Sequence, residues 1–107
     1  MPKYLLKVSY SPQGLKGVMS GGGSARVSAV EKMLSGLDGS LESFYFAFGG
    51  ADVYCIAEVP SHVEAAALAA TISSSGAIAS YETVVLLTPA EIDRASHVSV
   101  DYTPPGG

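Results

Sequence analysis

The sequence has one cysteine and few basic residues, and each shortage excludes a class of protein. The single cysteine, Cys55, excludes an intrachain disulfide framework and a cysteine-cluster metal site. It lies in an apolar stretch, where we expect a buried and unreactive thiol. Six Lys and Arg against ten Asp and Glu give a formal net charge of −4. We therefore expect no nucleic-acid partner, because nucleic-acid binding requires a basic face.

Long apolar runs are also missing. The longest, such as Ala65 to Ala70 and Val84 to Leu87, are far shorter than the roughly 20 residues that cross a bilayer, so no membrane partner is expected. No apolar segment followed by a cleavage site begins the sequence, and we expect a cytoplasmic protein. His62 and His97 lie far apart without a matching carboxylate pattern. Neither a metal nor a cofactor is therefore predicted.

What the sequence does contain is enough apolar material for one core, 48% of 107 residues. Alternating apolar positions predict strands, and apolar positions three and four apart predict a helix from Ser24 to about Gly36. Alternation along the second strand places Phe44 on one face and Leu41 with Tyr45 on the other. The predicted strands are residues 3–10, 41–48, 53–59 and 77–87.

The predicted ends of the helices rest on local signals. Ser61 with Glu64, and Thr88 with Glu91, have the spacing of capping boxes, and they predict two further helices, to Ser74 and to about Ser96. Residues 11–24 are rich in glycine and proline. We therefore expect a long connection there, with at most a short turn around residues 15–19, as a candidate functional segment.

The order β-α-β-β-α-β predicts an α+β, ferredoxin-like fold, with a four-stranded antiparallel sheet and two helices on one face. Apolar residues occur on both faces of three strands, as Leu5 beside Leu6 illustrates. Because two helices cover only one face, we expect a second copy of the chain to cover the other. Residues 1–96 form the predicted domain. Residues 97–107 form a tail with a possible extra strand in an oligomer contact.

Two stretches resemble the GYD-domain family of small bacterial proteins, which belongs to the dimeric α/β-barrel relatives of the ferredoxin-like fold. They read GGGSARVSAVEKMLSGLDGSLESFYFAFGGADVYCIAEVP and SSSGAIASYETVVLLTPAEID. The resemblance implies a fold and pairing between sheets, and it implies no particular reaction. The motif that names the family, Gly-Tyr-Asp, is here Gly50-Ala51-Asp52, so Ala51 replaces the tyrosine.

The candidate ligand-binding residues are Ser24 and Arg26, together with the strand tyrosines Tyr10 and Tyr45. Ser24 and Arg26 follow three glycines at a helix start, where amides and a guanidinium suit a small anionic ligand. A helix cap with a surface ion pair is the alternative interpretation. The tyrosines either line a pocket or pack at a subunit interface.

Asp52 and Tyr54 are the candidate catalytic residues. Asp52 is either a general base or a residue that hydrogen-bonds its own turn. No catalytic triad is identifiable from spacing. We therefore favour a homo-oligomeric small-ligand-binding or accessory protein. The alternative is a metal-independent isomerase, decarboxylase or monooxygenase that acts on an anionic or aromatic metabolite, with Arg26 anchoring the anion.

Overall fold

The structure is a computed structural model that describes residues 1–107. The four strands form one sheet in the order β2-β3-β1-β4, and every neighbouring pair is antiparallel. The elements are β1 (Lys3–Tyr10), α1 (Pro12–Gly21), α2 (Gly23–Ser35), β2 (Ser40–Phe46), β3 (Val53–Glu58), α3 (His62–Ser73), β4 (Ile78–Leu86) and α4 (Pro89–Ala95).

Each helical connection between strands passes over one intervening strand. Helices α1 and α2 join β1 to β2, with β3 between them, and α3 joins β3 to β4, with β1 between them. This is the split βαβ arrangement. The predicted α+β fold with a four-stranded antiparallel sheet is therefore confirmed. No helix in the structure has the length and apolar character needed to cross a membrane.

The core lies on one face of the two central strands, β1 and β3. Alternate residues of both strands are buried, as their spacing in the sequence requires. Val30 and Leu34 of α2 and Ala65 and Leu68 of α3 pack against them. The buried strand residues are Tyr4, Leu6, Val8, Val53, Cys55 and Ala57.

The first connection differs from the prediction, because residues 12–21 form the helix α1 where a long loop was expected. Ser11 caps this helix, its Oγ accepting a hydrogen bond from Gly14 N at 3.1 Å. A Cβ on Gly14 would lie 2.0 Å from the carbonyl oxygen of Ala77. The glycine at this position therefore permits close packing of α1 against the chain before β4.

Strand β2 contains an irregularity that the alternation pattern did not predict. Its register against β3 shifts between Leu41 and Ser43, which inserts one extra residue into β2. Since side chains alternate along a strand, the extra residue brings Leu41 to the inner face, where it packs on the core with Phe44. The prediction that Leu41 shares a face with Tyr45 was wrong for this reason.

The predicted capping boxes have different outcomes. At the start of α4, Thr88 N donates to Glu91 Oε1 at 2.9 Å and Glu91 N donates to Thr88 Oγ1 at 3.2 Å, so this box is confirmed. At the start of α3, Ser61 Oγ accepts from Val63 N at 3.2 Å and donates to Glu64 Oε2 at 2.6 Å. Ser61 is thus the cap, but the reciprocal box does not form.

The outer face of the sheet, opposite the core, has no fully buried side chain. Its apolar residues are only half-buried, and salt bridges flank them, including Lys3 with Glu58 at 3.1 Å and Lys7 with Glu82 at 3.3 Å. Residues 97–107 are exposed and form no strand in the single chain. The apolar residues of the outer face are Leu5, Ile56, Val84 and Leu86.

Candidate functional site

A cleft of about 590 Å³ opens between α1, α2 and the C-terminal end of α3. Its walls are made largely of backbone, because the residues facing it from α1 and α2 are mostly glycine and alanine. Helical spacing places Gly14, Gly17 and Gly21 on one side of α1. A Cβ added at Gly17 or Gly21 would meet no atom within 4 Å. The space in front of these glycines is therefore free.

Two polar side chains, Tyr10 and Arg26, form the floor of the cleft. Tyr10 is the last residue of β1, and Arg26 lies in the first turn of α2. The Nε atom of Arg26 is buried and has no hydrogen-bond partner in the protein. Arg26 takes part in none of the three salt bridges. A partly buried guanidinium without an acidic partner is suited to an anion.

Tyr10 keeps its proton at neutral pH. Burial raises the pKa of its hydroxyl, while the positive charge of Arg26 and the contact of the guanidinium with the hydroxyl act in the opposite direction. The phenol is therefore available as a hydrogen-bond donor at the floor of the cleft.

Asp52 fixes the backbone at the edge of this floor. Its Oδ2 accepts a hydrogen bond from Tyr10 N at 2.9 Å, and its own N donates to Val8 O at 2.8 Å. The carboxylate thus ties the loop after β2 to the end of β1. This geometry is closer to the interpretation of Asp52 as a residue that hydrogen-bonds its own turn than to that of a general base. The hydrogen bond, however, reaches the neighbouring strand β1. Ala51, in the position of the family tyrosine, is buried.

A small apolar cavity of about 30 Å³ adjoins the cleft on its inner side. Tyr10, Arg26, Ile72 and Ile78 line both spaces. Tyr81 belongs to the lining, and its hydroxyl, like Arg26 Nε, is buried without a partner in the protein. Burial raises the pKa of Tyr81 to about 12, so the hydroxyl keeps its proton.

The other predicted ligand-binding residues do not join this site. Ser24 lies in a separate groove beside Phe44 and Phe46. Residues two apart on a helix do not face the same way, which is why Ser24 and Arg26 separate. Gly22, not Ser24, precedes α2 as its N-cap. The interpretation of Ser24 as a cap was therefore wrong.

Tyr45 and Tyr54 lie on the outer face of the sheet. They are direct partners in the pairing of β2 with β3, on the face opposite Cys55 and the core. Lys7 Nζ lies 5.9 Å from the centre of the Tyr54 ring. Tyr10 and Arg26 are thus the only predicted ligand-binding residues that the structure brings together at the cleft.

Sequence reasoning named Tyr81 among the strand tyrosines that could line a pocket but did not select it as a site residue, and it missed the whole of α1. Tyr81 pairs with the buried Val8 across the sheet, so its inward direction follows only from the register. For α1, a signal was present, because Ser11 before Pro12 is typical of a helix start. No three His, Cys, Asp or Glu side chains are grouped so that they could hold a metal ion.

The fold defines a small α+β domain of the split βαβ type, with a cleft between its helices and the end of its sheet. The GYD domain model matches residues 4–96, and the chain belongs to the GYD domain family. The resemblance predicted from the sequence is thereby confirmed. No curated protein and no solved structure matches the chain.

Proposed function

We propose that this protein binds a small organic anion in the cleft, with the acidic group on the guanidinium of Arg26. The observation that carries the proposal is the buried Nε of Arg26, which has neither a hydrogen-bond partner nor a salt bridge in the protein. Leaving a buried charged donor unpaired costs free energy that an anionic ligand would recover.

The walls of the cleft favour a flat ligand body. Gly17 and Gly21 of α1 and Ala25 and Ala29 of α2 line the cleft with backbone and methyl groups. A volume of about 590 Å³ lies within the range of small-molecule sites. A planar aromatic acid therefore fits the chemistry of the walls and floor together.

A binding role accounts for the side chains better than catalysis. Among the residues that line the cleft, Tyr10 and Arg26 are the only ones that titrate. A protonated phenol and a guanidinium are donors, and neither accepts a proton near neutral pH. Burial also raises the pKa of Cys55 to about 11, which leaves its thiol neutral. We therefore propose a binding or accessory protein.

The test uses benzoate as the probe and benzamide as its uncharged counterpart. Benzoate should raise the melting temperature of the wild type and of Arg94→Met, which removes an exposed arginine on α4 that does not line the cleft. Benzoate should leave the melting temperature of Arg26→Met unchanged, because methionine keeps an apolar side chain like the stem of arginine but carries no charge. Benzamide should have little effect. An equal benzoate response from a folded Arg26→Met protein would refute the proposal.

We also propose that the protein associates with itself through the outer face of the sheet. Half-buried Leu5, Ile56 and Val84 form an apolar surface there, and Tyr45 is 71% exposed. Surfaces of this kind on small domains are typical of subunit contacts. Burial of this face by a second copy would remove it from water.

Light scattering tests the association. The wild type should have at least twice the mass of the chain, and Val84→Lys should reduce that mass to one chain. Val63→Lys is the matched control, since Val63 is 64% exposed and lies on α3. A stable wild-type monomer at micromolar concentration would contradict the proposal.

A further inference from the structure

Two buried donors without partners border the same cavity. Arg26 Nε and the Tyr81 hydroxyl are the only buried side-chain polar atoms in the protein that lack a hydrogen-bond partner, and both residues line the inner cavity. The other lining side chains are apolar or aromatic, and the Tyr10 hydroxyl, which interacts with the Arg26 guanidinium, is the only oxygen that they bring to the cavity. Two such groups on residues that line one cavity point to a position for an oxygen atom from outside the protein.

The size of the cavity limits what enters it. Its volume of about 30 Å³ matches the space that a single water molecule occupies in the liquid. One oxygen atom fits, whereas an aromatic ring does not. Because Ile72 and Ile78 line both spaces, the cavity and the cleft are adjacent. A ring in the cleft would therefore extend only one substituent inward.

From this geometry we infer that the inner cavity receives a hydroxyl or carbonyl oxygen of the ligand, held between Arg26 Nε and the Tyr81 hydroxyl. The inference rests on the proposed function and names its ligand class, acids that carry a second oxygen substituent. A ligand hydroxyl accepts a hydrogen bond from Arg26 Nε and donates one to the oxygen of Tyr81. A carbonyl oxygen accepts hydrogen bonds from both groups. Arg26 borders both spaces and thus contacts the acid group and the second oxygen together.

Calorimetric titration with benzoate and the three isomers of hydroxybenzoate tests this inference. The isomers place the hydroxyl at different distances from the carboxylate, so the set samples the depth of the cavity. We expect at least one isomer to bind the wild type about tenfold more tightly than benzoate does. In Tyr81→Phe this preference should fall to within about twofold, while the Kd for benzoate stays unchanged.

The matched control is Tyr54→Phe, which removes a hydroxyl from the outer face and should keep the full preference. Tyr81→Phe retains the ring, and circular dichroism verifies its fold. If benzoate binds but no isomer is preferred, or if Tyr81→Phe keeps the preference, a resident water fills the cavity and the inference is overturned. If neither benzoate nor any isomer binds the wild type, the proposed function fails as well.

Discussion

The helix α1 provides a sharp test of the structure, because two of its glycines, three positions apart, face different surroundings. Alanine is favoured over glycine in a helix interior by about 1 kcal/mol. At Gly17 a new Cβ meets nothing within 4 Å. At Gly14 it would lie 2.0 Å from the oxygen and 2.9 Å from the carbon of the Ala77 carbonyl. The same substitution should therefore have opposite effects at the two positions.

The magnitudes follow from these contacts. Gly17→Ala should raise the free energy of unfolding by about 0.5–1 kcal/mol, the helix preference alone. Gly14→Ala must push α1 away from Ala77, whose oxygen also accepts a hydrogen bond from Ser11 N at 2.9 Å. Overpacking of this kind costs about 1–3 kcal/mol, which exceeds the gain in helix preference. We expect Gly14→Ala to be destabilised by about 1–2 kcal/mol.

Urea denaturation and thermal unfolding, both followed by circular dichroism, measure the two changes. For a domain of this size, a change of 1 kcal/mol moves the melting temperature by about 4–8 °C, so the two variants should separate clearly. Stabilisation by both substitutions would show that α1 does not contact Ala77. No effect from either would refute the assignment of residues 12–21 as a helix.

Three further predictions concern single side chains. Tyr81→Phe should stabilise the unliganded protein against urea by about 1 kcal/mol, because it removes a buried hydroxyl without a partner; a loss of stability would show that the hydroxyl is satisfied. Hydrogen bonds from Thr88, chiefly its backbone N–H, lower the pKa of Glu91, so the capping box contributes stability at neutral pH and loses it as the pH falls through that lowered value. Protection of the Thr88 amide from exchange, relative to the intrinsic rate at each pH, should fall in acid in the wild type and show no such fall in Glu91→Gln. Affinity for benzoate should stay constant between about pH 6 and pH 9, because the raised pKa of Tyr10 keeps its hydroxyl protonated; a fall near pH 7 would mean that another group controls binding.

The sequence predicted the parts of the fold that depend on local patterns. Strands β1 and β3 alternate buried and half-buried residues, and this period is visible in the sequence. The start of α4 follows from Thr88 and Glu91, since a capping box involves residues only three apart. Periodicity and capping are sufficient where the determining contacts lie close together along the chain.

The parts of the fold and of the site that the sequence did not predict depend on contacts between distant segments of the chain. Gly14 looks like a helix breaker until the Ala77 carbonyl is known to lie against it. The bulge after Leu41 is visible only in the pairing of β2 with β3. The sequence predicts Arg26 and Tyr10 as ligand-binding residues for separate reasons. Nothing in it shows that Tyr81 shares a cavity with Arg26.

The backbone walls of the cleft have a consequence for how the protein can change. Where a pocket is lined by large side chains, mutation either enlarges or reduces it. At Gly17 and Gly21 no smaller residue exists, and every replacement adds atoms to free space. Substitution at these positions can only narrow the cleft, so relatives with other residues there should have narrower clefts. On the side of α1, the cleft is thus already as wide as the helix spacing allows.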